Sequence, residues 1–336
     1  MAKMRAVVMS GTGGPEVLGL GEVERPTPGR GQVLLRVAAT SVNRADTQQR
    51  LGSYPPPPGE SEILGLEAAG VVETVGEEVE DVRPGERVMT LLGGGGYAEF
   101  ALAPASTLIR IPDGIDFVRA AAITEVFVTA WLNVFHEARL AEGETLLVHG
   151  GASGVGTAAI QLAKALRGAR VLVTVGSEDK ARTCADLGAD HAILYRREDF
   201  SRKVLEHTGG RGTDVILDHI GGSYLEPNLA CLAPYGRLVI IGLLGGPKAE
   251  LNIGRLMVKR QRVIGSVLRA RPVEEKAWIT RGFVREVLPL LADGRLRPVI
   301  HEVMPLEEVR RAHEIMAANG NTGKLVLVVD PALAAG

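Results

Sequence analysis

Cysteine is nearly absent: Cys184 and Cys231 are the only two in 336 residues. That excludes a disulfide framework and a four-cysteine zinc lobe. Cys184 falls in a predicted helix and Cys231 in an apolar segment, where cysteine usually serves as a small buried hydrophobe. Net charge is also nearly absent, −2 at neutral pH, so there is no basic stripe of the kind nucleic-acid binding needs, and no nucleic-acid partner is expected. No uninterrupted apolar run is long enough to cross a bilayer, and no membrane partner is expected. The opening Met1-Ala2-Lys3-Met4-Arg5 lacks a signal-peptide pattern, which makes a cytoplasmic protein the expectation. Low complexity is confined to Pro55–Pro58.

Core material is abundant, at 46% hydrophobic residues, and the length suggests two domains. The most informative stretch runs from Leu146-Leu147-Val148 through Gly150-Gly151-Ala152-Ser153-Gly154-Val155-Gly156 into Ala159, Ile160, Ala163 and Leu166 at helical spacing. It reads as strand, glycine turn, helix. Such a turn lets backbone approach a pyrophosphate, and the free N–H groups at the helix start favour its charge. Serine stands at position 153, where the common G-x-G-x-x-G has its middle glycine. Further apolar runs at Val171–Val175, Ile193–Leu194, Val215–Leu217 and Leu238–Ile241 alternate with helical segments, which predicts a doubly wound parallel sheet of Rossmann type.

The end of the second strand bears on cofactor preference. An NAD site usually has Asp or Glu about twenty residues past the glycine turn; here that position is Gly176, then Ser177, with Lys180 one turn on. Without a carboxylate to repel a 2′-phosphate, NADPH is the expected cofactor, although Glu178 and Asp179 offer alternative ribose partners. Residues 1 to 124 differ in composition. They carry short strand-like runs at Arg5–Met9, Gln32–Val37, Gly70–Val75 and Glu86–Met89, with turn-plus-strand units at Asp81–Val88 and Gly93–Phe100, and predict a mostly β domain. After about residue 270 come a helical stretch over Val273–Ala292, an amphipathic one over Leu306–Met316 and a closing strand over Gly323–Val329.

The chain resembles the quinone oxidoreductase, or zeta-crystallin, branch of the medium-chain dehydrogenase/reductases. Gly13–Leu18, Pro28-Gly29 with Gly31–Leu34, Asn43-Arg44-Ala45-Asp46, Gly65–Gly70, Ala120–Ala122 and Gly143 through Gln161 fall in that family's order. Gln49–Gly59 and Ile220–Tyr224 resemble most closely the tumour-suppressor-inducible NADPH quinone oxidoreductase group. The resemblance implies a GroES-like catalytic domain formed by residues 1–124 and 271–336, with an NADP-binding Rossmann domain, 125–270, inserted between them.

In zinc alcohol dehydrogenases of this superfamily a cysteine stands at the place of Asn43 and a histidine at that of Leu66. Amide and alkyl groups cannot replace a thiolate and an imidazole, so no metal is expected. Without a Lewis acid, the expected acceptor is one that stabilises negative charge by its own conjugation, a quinone or enone. Hydride would pass from nicotinamide C4 to a quinone held between the domains, with positioning as the protein's main contribution.

Asn43 is a candidate oxyanion donor or a cap, and Tyr54 a pocket-lining residue or a packing group against the prolines. Asp46 is expected to be structural and to orient the Asn43 segment, and Thr129 resembles the family position beside the nicotinamide ring. By the same resemblance Ser153, Gly154, Val155 and Gly156 would hold the pyrophosphate, and Gly176, Ser177, Lys180 and Tyr195 the adenosine phosphate. Gly242, Leu243, Leu244, Val267, Leu268 and Arg269 would meet the nicotinamide side. His149 and His219 end predicted buried strands and are expected to be structural. The resemblance also implies a two-fold contact at the run Val263–Leu268, and so a homodimer, where the run by itself could equally be a buried interior strand. Two other readings stay open: a 2-alkenal or enoyl-thioester reductase, which also needs a proton donor to carbon, and a non-catalytic NADPH-binding or RNA-associated protein.

Overall fold

The computed structural model describes residues 2–335. The backbone divides into two compact units. The first takes in the chain up to Val128, Leu268–Gly294 and the segment from Pro298 on; the second is Thr129–Val267 with Arg295–Arg297.

In the first unit, long apolar runs become the centre of a sheet because both faces are covered. Strand Gln32–Val42 pairs antiparallel with Glu67–Val75, which continues to Arg87–Leu91 and Leu108–Arg110; on its other side lie Lys324–Val328 and Ile300–Pro305. Phe100–Pro104 adds to the Gln32–Arg36 end of the central strand. Leu35, Val37, Leu64, Tyr97 and Leu327 are sealed inside. One strand escaped the sequence pattern: Leu18–Glu24 pairs with Lys3–Met9 although it carries Gly19, Gly21 and two glutamates. Gly21 serves that pairing, because a Cβ there would lie 2.9 Å from Val8 Cγ2. The helical stretch expected over 273–292 forms as two pieces, Val273–Glu286 and Leu288–Ala292. Pro289, which has no N–H to donate, sits in the first turn of the second piece. The amphipathic segment becomes a 3₁₀ turn, Leu306–Glu308, followed by helix Val309–Ala317.

The second unit is a six-stranded parallel sheet. In order across it lie His191–Leu194, Arg170–Val175, Thr145–Val148, Thr213–Asp218, Leu232–Ile240 and Arg262–Gly265. The order places the first strand third and reverses direction beside it, which is the doubly wound topology with its switch point at the glycine turn. Leu147, Leu172, Ile216 and Leu238, one from each central strand, form the core between sheet and helices. The last strand, Arg262–Gly265, has a single neighbour, and Val263 is exposed. Among the described residues, no helix is long and apolar enough to cross a membrane.

Candidate functional site

The glycine turn follows strand Thr145–Val148 and feeds helix Gly154–Arg167. Ser153 is the N-cap; its Oγ accepts from Gly156 N at 3.0 Å. The turn is pinned to the neighbouring strand by Gly150 N donating to Thr174 Oγ1 at 3.1 Å and Gly151 N to Thr174 O at 2.9 Å. A Cβ on Gly156 would come within 2.4 Å of Gly150 O and 2.5 Å of Gly151 O, so only glycine allows the helix to start this close to the turn. Gly150, at φ +61°, takes the left-handed backbone under the imidazole of His219. Among the described residues, no protein acceptor meets the N–H groups of Gly154 and Val155. Two donors at the positive end of a fourteen-residue helix suit a pyrophosphate.

Past the second strand, Gly176, Ser177, Glu178, Leu194, Arg196 and Arg197 line a cavity of about 310 Å³. Ser177 caps helix Glu178–Asp186, its Oγ accepting from Lys180 N. Glu178 pairs with Arg197 at 3.7 Å and Asp179 with Arg182, so both acids that compete with a phosphate reading have arginine partners. The Tyr195 hydroxyl stands 3.3 Å from where a Gly176 Cβ would lie. Arg196 was not picked out in the sequence; its signal is an arginine just past the third strand, beside the glycine that replaces the acidic residue. A dinucleotide carrying a 2′-phosphate fits this cradle: helix donors at the turn, guanidinium groups beyond Gly176 and no unpaired carboxylate between them. Gly242, Leu243 and Leu244 follow strand Leu232–Ile240, with both leucines and Val267 exposed. Thr129 lies in helix Thr124–Trp131, which runs on into a π-helical turn, Leu132–Glu137; its carbonyl accepts from Asn133 Nδ2 at 2.8 Å.

His149 and His219 have structural surroundings. His149 is fully buried, with Nε2 2.7 Å from Asn228 Oδ1 and Nδ1 3.1 Å from Thr174 Oγ1, and burial pushes its pKa down to about 3. A ring that stays neutral at physiological pH and has both nitrogens bonded is a strut rather than an acid. The His219 ring fills the space over Gly150.

In the first unit a polar network is buried behind Asn43. Lys324 Nζ lies 2.5 Å from Asn43 Oδ1 and 3.0 Å from Glu67 Oε1. Asn43 Nδ2 donates to Glu67 Oε1 at 3.0 Å and, more weakly, to Ser41 O at 3.4 Å. The other Glu67 oxygen accepts from Thr124 Oγ1 and Glu125 N, each at 2.9 Å. Burial alone would push the Glu67 pKa up; the Lys324 ammonium and this set of donors reverse that and hold it below the usual carboxylate range. Both ends of the Asn43 side chain are bonded inside the fold, which favours the cap of the two readings open to it. Asn43 is the N-cap of helix Arg44–Arg50, its N–H donating to Asp46 Oδ2 at 2.7 Å.

Asp46 is structural, as expected, and is buried; it also accepts from Gly65 N at 3.0 Å and the Tyr97 hydroxyl at 3.2 Å, and burial lifts its pKa to about 6. A directed chain ends on it. Arg50 can only donate, so His313 Nδ1 accepts at 3.2 Å; Nε2–H then donates to Tyr97 Oη at 3.2 Å, and the phenol proton goes to Asp46.

Tyr54 is half-buried, and among the described residues its hydroxyl has no hydrogen-bond partner. Arg269 lies over its ring, 5.3 Å from the centroid, and donates to Tyr54 O at 3.4 Å, Gln49 Oε1 at 2.7 Å and Gly93 O at 2.8 Å. The guanidinium of Arg269, a residue expected on the nicotinamide side, is bonded within this unit, where it braces the Tyr54 segment. Burial raises the Tyr54 pKa, so the hydroxyl remains a donor at neutral pH. Glu125 and Lys324 carry no sequence motif that announces them, and the Gly65–Gly70 stretch that contains Glu67 does not announce its partners. Among the described residues, no three His, Cys, Asp or Glu side chains are grouped to hold a metal ion.

Comparison with known proteins agrees with this architecture. Residues 29–113 match the alcohol dehydrogenase GroES-like domain and residues 154–281 the zinc-binding dehydrogenase family. A quinone oxidoreductase of Lama guanicoe is 38% identical over 330 residues, 97% of this chain and 98% of that one. A 2-haloacrylate reductase of Burkholderia sp. is 36% identical, covering 96% and 98%. The crystal structure of Escherichia coli quinone oxidoreductase complexed with NADPH superposes with a TM-score of 0.86 at 30% identity, covering 97% of this chain and 100% of that one. With a Rossmann sheet, a GroES-like unit and full-length similarity of this degree, the chain belongs to the quinone oxidoreductase family of the medium-chain dehydrogenase/reductases.

Proposed function

We propose that this chain is an NADPH-dependent quinone oxidoreductase that works without zinc. The observation that carries the cofactor choice is the guanidinium-lined cavity beyond Gly176, where an NAD-specific site would present a carboxylate. NADPH, when bound, supplies a hydride at nicotinamide C4. Gly154 and Val155 N–H groups hold the pyrophosphate, with Ser153 and Gly156 shaping the turn. Gly176, Ser177, Lys180, Tyr195 and Arg196 take the adenosine phosphate. Gly242, Leu243, Leu244, Thr129, Val267 and Leu268 serve the nicotinamide end, and the exposed face at Val263 serves a homodimer.

Zinc independence is supported by the environment of Asn43. Where related alcohol dehydrogenases place a thiolate, an amide is already bonded to an ammonium group, and a second cation there would be repelled. Asn43 then positions the turn, while the free Tyr54 hydroxyl is the donor available to a quinone oxygen. Reduction of an activated C=C bond is the second reading, favoured by the 2-haloacrylate reductase relative.

The test is rapid mixing of the protein and NADPH with a small para-quinone, a 2-alkenal or a 2-haloacrylate. Fast NADPH oxidation by the quinone, with NADH at least about 10-fold poorer, is the expected result. Oxidation only by the alkenal or haloacrylate would establish the second reading. Cofactor binding with silence toward all three would leave a binding role.

A further inference from the structure

Glu125, a residue of the first unit, lies in the first turn of helix Thr124–Trp131, and its backbone N–H is tied to Glu67 Oε2 at 2.9 Å. That bond and the matching one from Thr124 Oγ1 fix the first turn, and with it the direction in which Glu125 leaves the helix. Its carboxyl differs from those around it. Glu67 and Asp46 each take several hydrogen bonds, and Glu60 lies 3.9 Å from Lys276, but among the described residues no hydrogen bond or ion pair reaches the Glu125 carboxyl. A carboxylate kept for structure is normally paired, and among the described residues this half-buried one has no partner of its own.

We propose that Glu125 supplies the proton taken up by the reduced acceptor. The inference rests on the hydride-transfer reading above. Hydride addition leaves a quinone as a hydroquinone monoanion, with two electrons and one hydrogen gained. The Glu125 O–H bond then breaks, its proton joins the anionic oxygen to give the hydroquinone, and the carboxylate regains a proton from solvent.

The surroundings keep that proton in place until it is needed. Burial, the Glu67 charge and, more weakly, Asp46 push the Glu125 pKa up, while Lys324 and Arg269 pull it down, leaving it at about 8. Tyr54 and Lys276 are within electrostatic reach of Glu125, and Lys276 pairs with Glu60 at 3.9 Å. Glu125 is partly exposed rather than sealed, so solvent can reload it. A group protonated at pH 7 and ionising near pH 8 is matched to proton donation.

The experiment is the pH dependence of kcat with NADPH and a small para-quinone, for wild type, Glu125→Gln, Glu125→Asp and Tyr54→Phe. NADPH titration and the thermal midpoint of each variant serve as controls. Wild type is expected to lose turnover above about pH 8. Glu125→Gln is expected to lose turnover of order 100-fold at pH 7, and to lack that limb, with NADPH affinity unchanged. Glu125→Asp restores the limb, and Tyr54→Phe keeps it. A wild-type profile flat to pH 9.5, or the same limb in Glu125→Gln, overturns the inference while leaving quinone reduction standing. Should Glu125→Gln not fold, loss of the limb in Glu125→Asp overturns it equally. Absence of wild-type turnover with every acceptor sinks the functional reading itself, a result distinct from both.

Discussion

Lys324 Nζ lies 3.0 Å from Glu67 Oε1, and both side chains are closed off from solvent, at 3% and 0% exposure. The ammonium also holds Asn43 Oδ1 and Val42 O, so one cation fixes the end of a central strand, the cap of the next helix and a buried carboxylate. A pair of this kind is specific rather than strongly stabilising, because desolvation opposes the Coulomb attraction.

Breaking the pair is a different matter. Lys324→Met leaves Glu67 charged and unpaired, which costs about 3 to 5 kcal/mol; Lys324→Met with Glu67→Gln recovers most of that loss. Urea unfolding of the three proteins at pH 7 checks this. A double variant no more stable than the single one would show that packing, not the unpaired charge, dominates. Because the Glu67 pKa is depressed on folding, its contribution is complete above the unfolded carboxylate range and disappears as pH falls through the folded value.

His149 gives a second pH signature. Its pKa is about 3 in the folded protein against an ordinary value near 6.5, so the unfolded chain binds a proton that the folded one refuses. Stability from this residue is full above pH 6.5 and falls by up to about 1.4 kcal/mol per pH unit on the way down to pH 3. His149→Gln removes that titration. Its destabilisation relative to wild type should therefore shrink as pH drops from 7 to 5, as followed by urea midpoints across the range. A constant difference would mean that the ring is not buried neutral.

The cofactor cradle yields a pair of contrasting variants. Gly156→Ala drives a methyl group into Gly150 O and Gly151 O, so it should lower stability by about 1 to 3 kcal/mol and abolish NADPH and NADH binding together. Gly176→Asp meets nothing nearer than the tip of Tyr195, at 3.3 Å, with Arg196 Nε at 3.7 Å, and should fold normally. Its carboxylate should weaken NADPH binding by about 10- to 100-fold and leave NADH binding unchanged or improved. Fluorescence titration with both cofactors separates the two outcomes. An equal loss of both in Gly176→Asp would place the phosphate elsewhere.

These sites differ in how far the sequence reveals them, and the reason is separation along the chain. The glycine turn, its flanking strand and its helix lie within about twenty consecutive residues, and each leaves a local pattern of apolar spacing and small residues. The sheet order follows from alternation of such units. Strand Leu18–Glu24 was missed because its glycines and acids carry no β pattern, and its position is set by the partner strand. Lys324 and Glu67 are 257 positions apart, and each alone looks ordinary: a lysine opening a C-terminal strand and an acid after Gly65-Leu66. Glu125 reads locally as a helix first-turn acid favoured by the macrodipole. Only the fold shows that, among the described residues, its carboxyl is unpaired and stands near the buried acids Glu67 and Asp46. For Asn43 the sequence leaves donor and cap both open, and for Arg269 it offers only a resemblance, since a side chain's partners are a tertiary property.

Arg269 supplies the last test, because its two possible duties predict opposite kinetics. Its guanidinium reaches Gln49, Gly93 and Tyr54 O and covers the Tyr54 ring. Lysine can place a charge there but cannot donate in three directions from a rigid plane or stack as broadly on an aromatic ring. Arg269→Lys should therefore loosen the Tyr54 segment and raise KM for the quinone by roughly 10-fold, the equivalent of one charged hydrogen bond, while the Kd for NADPH stays within about 2-fold of wild type. Arg269→Lys combined with Tyr54→Phe should be no worse than the more impaired single variant, because both act through the same ring. If the side chain instead held the nicotinamide end, NADPH affinity would fall and the quinone KM would not, and the two effects would add in the double variant. Stopped-flow cofactor binding, alongside steady-state quinone titration on the four proteins, distinguishes bracing of Tyr54 from direct cofactor contact.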